Sequence, residues 1–250
     1  MSSAKKFVLL GATGSIGEST LQVLRKHPEK LELIGVSAHK QAEKLYSIIE
    51  EFKVPNAHLA CQSDQTVSFP KETILGQSTD QLDELAAHPE ADLVVVAIVG
   101  SAGLRPTLAA LKAGKDVVLA NKESLVVGGK LVTDTARESG ARIIPADSEH
   151  NAIHQCLLGQ EERELDSIIL TASGGAFRDL PLEKLKDVTL KQALKHPNWS
   201  MGPKVTIDSA TMANKGLELI EAYWLFGLPS NKMEVVIHPS SIVHAMVRFI

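Results

Sequence analysis

Phe7-Val8-Leu9-Leu10 runs directly into Gly11-Ala12-Thr13-Gly14-Ser15-Ile16-Gly17, and this stretch decides the fold. The first four residues are a short apolar run with β character. From about Glu18 to Lys26 the spacing of Leu21 and Leu24 predicts an amphipathic helix. Strand, glycine-rich turn and helix, in that order, are what a dinucleotide site needs. Glycines let the backbone approach a pyrophosphate, and the helix N-terminus offers free N–H groups and the positive end of its dipole. The spacing is G-x-x-G-x-x-G, a variant of the usual fingerprint. A glycine-rich connection with no ligand is the competing reading of the same residues.

Outward from this stretch, the chain alternates. A strand from Leu31 to Ser37 ends in Ser37-Ala38-His39-Lys40, with no acid where a site for NAD would place Asp or Glu, about 20 residues past the glycines. A lysine among small polar groups favours a 2′-phosphate and hence NADP, although Lys40 also suits a solvated surface position. A helix over 41–52, a strand over 57–60 and a helical turn over 82–87 follow. The run Leu93 to Val99 is continuously apolar, which predicts a parallel strand buried on both faces. Then come the turn Gly100-Ser101-Ala102-Gly103, a helix over 104–113, a strand over 116–120, a helix over 129–139 and a last strand over 142–145. This alternation predicts an α/β fold with a doubly wound parallel sheet. Asn121-Lys122-Glu123-Ser124 sits at the carboxyl end of the 116–120 strand, the ligand edge of such sheets. Lys122 is therefore a candidate catalytic or anion-binding lysine, or else a helix-start charge beside Glu123.

Pro145-Ala146-Asp147-Ser148-Glu149-His150 opens the second half. If Asp147 ends a strand, Asp147 and Glu149 can point into one crevice. Two close carboxylates repel unless a cation sits between them, and an all-oxygen site suits Mg²⁺ or Mn²⁺. The alternative is a helix start, with Asp147 or Ser148 as its cap. His150 and His154 are spaced i, i+4 as in zinc helices, but H-E-x-x-H is absent, so zinc is disfavoured and His154 reads as packing or surface. A strand over 167–171 leads to Ala172-Ser173-Gly174-Gly175, either an oxyanion or phosphate nest or a plain turn. Residues 178–195 are charged and poor in large apolar groups. His196-Pro197-Asn198-Trp199-Ser200-Met201-Gly202-Pro203 reads as a loop able to fold over a ligand, or as one anchored by a buried Trp199. On a helix predicted over 210–226, Asn214, Lys215 and Glu218 share a face, with Leu217, Ile220 and Trp224 expected toward the core. Glu218 is either half of a surface pair with Lys215 or a third carboxylate for one cation. In the second case Ser209, Asn214 and Lys215 are donors for a phosphate. Strands follow at Val235 to Ile237 and from Val243 to Ile250.

The bulk numbers narrow the class. In 250 residues, 44% hydrophobic and 22% charged content is that of a soluble globular protein. A net charge of −4 leaves no basic footprint for nucleic acid. Cys61 and Cys156 form no C-x-x-C pair, which suits a reducing compartment. The N-terminal apolar run is too short for a signal peptide core or a membrane span, so a cytoplasmic protein with no membrane partner is expected.

Taken together, these motifs match one family. The turn at 11–17, Asn121-Lys122-Glu123, Asp147-Ser148-Glu149-His150, Ala172-Ser173-Gly174-Gly175, His196-Pro197-Asn198-Trp199, Ile207-Asp208-Ser209-Ala210-Thr211 and Asn214-Lys215-Gly216-Leu217-Glu218 resemble those of the 1-deoxy-D-xylulose 5-phosphate reductoisomerases of the non-mevalonate isoprenoid pathway. The resemblance implies an NADPH-binding domain over 1–145 and a catalytic domain over 146–250. It implies that Asp147, Glu149 and Glu218 hold Mg²⁺ or Mn²⁺, which polarises the ketone of a phosphorylated deoxy-ketose while the skeleton rearranges. NADPH would then reduce the product, held by Thr13, Gly14, Ser15, Ile16, Lys40, Gln41, Asn121 and Glu123, with Gly202 approaching it. Lys122, Ser148 and Glu149 would contact substrate, and Ser173, Ser209, Asn214 and Lys215 its phosphate end. His196, Trp199 and Met201 would lie on the closing flap. His39-Lys40-Gln41 departs from the family's usual Gly-Lys-Asn, and Ala176 from a usual proline. The family forms homodimers and carries further strands and a C-terminal helical domain past the position of Ile250, so the chain reads as truncated, with its dimer interface and closed active site affected. Two other functions compete. A semialdehyde dehydrogenase-like reductase needs a nucleophilic cysteine, and Cys156 lacks an activating setting. A dinucleotide-binding module without catalysis has no need of three carboxylates.

Overall fold

The computed structural model describes residues 4–61, 67–160, 165–199 and 201–250, which form two compact units divided between Ile144 and Pro145. Ser200 of the predicted loop lies outside the described residues. The first unit is built on a seven-stranded sheet. Its order is β4 (Ile74–Gly76), β3 (Asn56–Leu59), β2 (Leu31–Ala38), β1 (Lys5–Leu10), β5 (Leu93–Val96), β6 (Asp116–Leu119) and β7 (Ile143–Pro145). The pairings from β4 to β6 are parallel. Strand order runs outward both ways from β1, so β1 and β5 flank the switch point where open sheets leave a crevice. Helices α1 (Ser15–Lys26), α2 (Ala42–Phe52), α3 (Thr79–Ala86), α4 (Leu104–Lys112) and α5 (Lys122–Ser139) make the connections. Phe7, Leu9, Leu21, Leu45, Ile49 and Leu59 are among the fully buried core side chains. Each contributes roughly 1.5–3 kcal/mol by leaving water.

The doubly wound reading holds, with three local corrections. β5 ends at Val96 rather than Val99. There the Ala97 carbonyl packs against Gly11, and Val99 is 66% exposed. α5 begins seven residues before the expected Gly129, because the side chain of Asn121 caps it; the non-helical Gly128 then kinks it. The edge strand β4 has only three residues and no alternation long enough to read.

The second unit carries a three-stranded sheet. In it β8 (Leu165–Ala172) lies between β9 (Met233–Ile237), parallel to it, and β10 (Ala245–Phe249), antiparallel. Ile153 of α6 (Ser148–Leu157), Ile168 and Leu170 of β8, and Ala222 of α9 (Ala213–Phe226) form its core with Leu228. Both flanking strands stay open to solvent: Val235, Val236 and Ile237 are 38–50% exposed, and Met246 and Phe249 about as much. The expected 210–226 helix begins at Ala213 as α9, and two separate helices, α7 (Leu190–Ala193) and α8 (Pro203–Ala210), precede it. α8 and α9 are separated at Met212, a non-glycine residue in the left-handed region at φ 62. The expected inward face of α9 is also corrected. Ile220 is exposed, while Lys215, Glu218, Glu221 and Ala222 are the buried positions. No helix among the described residues is long and apolar enough to cross a membrane.

Candidate active site

At the carboxyl edge of the first sheet, α1 starts at Ser15 with Gly14 as its cap and no side-chain hydrogen bond to its first turn. Gly14, Ser15 and Ile16 are exposed and Thr13 half-buried. The uncapped N–H groups of this turn are a natural seat for an anion. A Cβ at Gly17 would stand 2.4 Å from the Ala12 carbonyl oxygen, so the helix lies flush on the turn only because that side chain is missing. β2 fixes the turn from its other side. Buried Ser37 accepts the Gly11 N–H through Oγ at 3.0 Å, and its carbonyl accepts the Ala12 N–H at 2.8 Å. Lys40 and Gln41 stand exposed just beyond β2.

Asn121, 1% exposed, ties two turns of this edge together. Its amide nitrogen donates to the carbonyls of Ile98 (2.5 Å) and Gly100 (2.7 Å), and its oxygen accepts the Ser124 N–H. Lys122, also buried, opens α5, followed by Glu123.

In the second unit the two readings of Asp147 turn out to be compatible. Asp147 caps α6, accepting the Ser148 N–H at 3.0 Å, and Asp147, Glu149 and Glu218 bring carboxylate oxygens within 4.8 Å of one another. Ser148 Oγ donates to Glu149 at 2.7 Å. Lys215, 6% exposed, places its ammonium 3.0 Å from Glu149 Oε1 and donates also to Glu218, while the Asn214 amide donates to the other Glu218 oxygen. So two of the three carboxylates, Glu149 and Glu218, share one buried ammonium, which leaves the cluster with an excess of negative charge.

His150 holds α6 and α9 in register. Its Nε2 lies 2.8 Å from the Glu218 backbone carbonyl, which can only accept, so that nitrogen carries a proton. Its Nδ1 is 3.5 Å from Glu221, and both residues are wholly buried. Asp147, His150 and Glu221 thus form a second close group, one that mixes an imidazole with two carboxylates.

The turn after β8 adds a third set. A Cβ at Gly175 (φ +72) would fall 2.2 Å from the Ser209 carbonyl oxygen, so the 173–175 turn sits directly on the end of α8. Ser173 Oγ accepts the Gly175 N–H and pairs with His196 Nε2 at 2.9 Å. His196 Nδ1 accepts the N–H groups of Asn198 and Trp199 at 3.2 and 3.0 Å. It is therefore the unprotonated nitrogen, and burial holds the imidazole below its ordinary pKa. Asn198 donates to the Pro239 carbonyl at 2.6 Å, pinning the loop to the 238–241 turn. Trp199 is 48% exposed, so it does not anchor this loop by burial.

Comparison with known proteins decides the family. The family model for 1-deoxy-D-xylulose 5-phosphate reductoisomerase matches residues 7–129, and the model for the C-terminal domain of the same enzyme matches residues 143–226. The chain belongs to the 1-deoxy-D-xylulose 5-phosphate reductoisomerase family. It is 51% identical over 253 residues to the reductoisomerase of Ralstonia pickettii (strain 12J), covering 98% of this chain and 64% of that protein. Against the Geobacter metallireducens reductoisomerase it is 51% identical, covering 98% and 65%. A crystal structure of DOX-P reductoisomerase in complex with NADPH, fosmidomycin and magnesium superposes with a TM-score of 0.90 at 42% identity, over 98% of this chain and 64% of that one. The reductoisomerase from Zymomonas mobilis in complex with NADPH gives 0.87 at 39%, over 99% and 65%. The chain thus spans just under two thirds of the length of these reductoisomerases.

Within the family frame, the sequence-predicted residues fall into sets. Thr13 to Ile16, Lys40, Gln41 and Asn121 to Glu123 all lie at the carboxyl edge of the first sheet. Asp147, Ser148, Glu149, Asn214, Lys215 and Glu218 form the carboxylate cluster, and Ser173, His196 and Ser209 share the turn after β8. Met201 and exposed Gly202 lead into α8. Sequence reasoning missed Ser37 and Glu221. Ser37 was visible as a polar residue in a buried strand, whereas Glu221 gave no signal, because its partner comes from another helix.

Proposed function

We propose that this chain performs the NADPH- and divalent-metal-dependent isomerisation and reduction of 1-deoxy-D-xylulose 5-phosphate to 2-C-methyl-D-erythritol 4-phosphate. The observation that carries this reading is the convergence of Asp147, Glu149 and Glu218 oxygens within 4.8 Å. Such an all-oxygen donor set fits a hard cation, Mg²⁺ or Mn²⁺. The uncapped turn at 11–17, with the Cβ-free approach at Gly17, fits the pyrophosphate of NADPH. When bound, the cation supplies Lewis-acid polarisation of the substrate's oxygens, and NADPH supplies the hydride.

The chain's own residues do the rest. Thr13 to Ile16 present backbone donors to the cofactor, and Lys40 and Gln41 stand where its 2′-phosphate would be recognised. Asn121 shapes the neighbouring turn beside Glu123, and Gly202 leaves room for cofactor. Lys122 and Ser148 orient substrate. Ser173, Ser209, Asn214 and Lys215 bind the phosphate end, and the loop bearing His196, Trp199 and Met201 closes to exclude water. Two exposed free cysteines support a cytoplasmic setting. A charge of −4 argues against nucleic acid or an anionic membrane surface as partner. A homodimer is the assembly this reading expects.

Titrating Mn²⁺ in the presence of NADPH tests the proposal. Glu218→Gln should weaken metal binding at least tenfold, since carboxylate count sets affinity for hard cations. Equal binding by both proteins would show that the three carboxylates do not act as one site.

A further inference from the structure

Glu18 poses a problem for an anion site at the start of α1. A carboxylate in the first turn stabilises a helix by itself, but it also repels any phosphate seated on the same turn. Two cations hold it. Arg25 Nη1 lies 3.0 Å from Glu18 Oε1, and Lys44 Nζ lies 3.5 Å from Oε2. Their pull keeps the Glu18 carboxyl below its ordinary pKa, Arg25 through its hydrogen bond being the larger cause. Arg25 is already committed elsewhere. Its Nε and Nη2 grip both oxygens of Glu51 at 2.6 and 2.8 Å. Lys44, from α2, is the second cation on Glu18, and it need not be shared with Glu51. The same ammonium donates to the Thr13 carbonyl at 3.1 Å, inside the glycine turn.

We propose that Lys44 is a positioning residue of the dinucleotide site, holding the Thr13 carbonyl so that the turn keeps its N–H groups outward, and joining Arg25 in offsetting the charge of Glu18 beside the cofactor's phosphates. The inference rests on the reading of the 11–17 turn as the NADPH site. Lys44 acts through Thr13 and Glu18 and not by contact with the 2′-phosphate, the role that falls to Lys40.

The test is a set of NADPH and NADH titrations, followed by nicotinamide fluorescence, on the full chain and three variants. Lys44 and Glu18 are both more than a third exposed, so the variants should fold, and melting curves check that they do. Lys44→Met should weaken both cofactors about tenfold, the scale of one unit charge removed several ångströms from an anion near a surface. Lys44→Arg should retain affinity. Adding Glu18→Gln to Lys44→Met should recover most of the loss, because the carboxylate that repels the phosphates is then gone as well. Unchanged binding by Lys44→Met would overturn the proposal. So would a loss confined to NADPH with no recovery from Glu18→Gln, which would make Lys44 a direct 2′-phosphate ligand. If the parent chain binds neither cofactor while Mn²⁺ still binds, the cofactor reading itself falls and this inference falls with it.

Discussion

Replacing Lys215 by Met removes the cation that Glu149 and Glu218 share beside Asp147, while keeping most of the side chain's apolar stem. Two unit charges within 4.8 Å of each other repel by roughly 3 kcal/mol or more at the effective dielectric of about 20 that suits such sites. Loss of a partner from a buried ion pair costs a similar amount, about 3–5 kcal/mol. The metal-free variant should therefore lose about 3 kcal/mol near neutral pH, lowering Tm by on the order of 10 °C. Mg²⁺ or Mn²⁺ should restore most of that loss, because a divalent cation replaces the missing charge. Its affinity should rise as well, since no ammonium competes for the Glu149 and Glu218 oxygens. Thermal melts with and without millimolar Mg²⁺, beside an isothermal Mn²⁺ titration, measure both effects. A Lys215→Met protein that melts with the parent and ignores Mg²⁺ would refute the argument that these carboxylates form one electrostatic unit.

Gly17→Ala should cost about 2 kcal/mol or more by overpacking, since the contact at 2.4 Å is with backbone that cannot rotate away; a melt and an NADPH titration should both register it. Asp147→Asn should separate the two tasks of that residue. Asn caps helices as well as Asp, so Tm should change little while Mn²⁺ binding falls about tenfold or more with the lost charge. Acid should weaken the protein through His58 and His196, both held below their ordinary pKa by burial. Between the lowered folded value and the unfolded value near 6.5, the unfolded chain binds more protons, so each contribution is intact above about pH 6.5 and lost as pH falls through that interval. Tm compared at pH 7.5 and 5.5 in the parent and in His196→Gln should show a smaller acid loss in the variant, which has no imidazole to protonate.

The sheet was legible because its central strands are buried on both faces. Runs such as Phe7 to Leu10 and Leu93 to Val96 had no polar face to hide. What escaped depended on partners distant in the sequence. Leu217, Ile220 and Trp224 looked like the inward stripe of α9 by hydrophobicity. The helix instead buries Lys215, Glu218 and Glu221, because Glu149 and His150, more than 60 residues earlier, pack against Lys215 and Glu221. The break between α8 and α9 was hidden because the residue in the left-handed region is Met212, not the glycine that usually marks such a stop. At Asp147, cap and cluster member looked like alternatives only because a one-dimensional reading assigns each side chain a single task. A carboxylate has two oxygens, so capping α6 does not take Asp147 out of the cluster.

The open flanks of the small sheet bear on how the protein can be handled. Met233-Glu234-Val235-Val236-Ile237 is a short, β-prone strand at the edge of its sheet, with no further strand beside it among the described residues and Glu234 the one charge in the strand to deter a neighbour. Protein concentration is therefore an experimental variable in its own right. Turbidity or light scattering that grows with concentration, and subsides when a second charge is introduced at Val236, would mark β9 as the seam along which molecules stick.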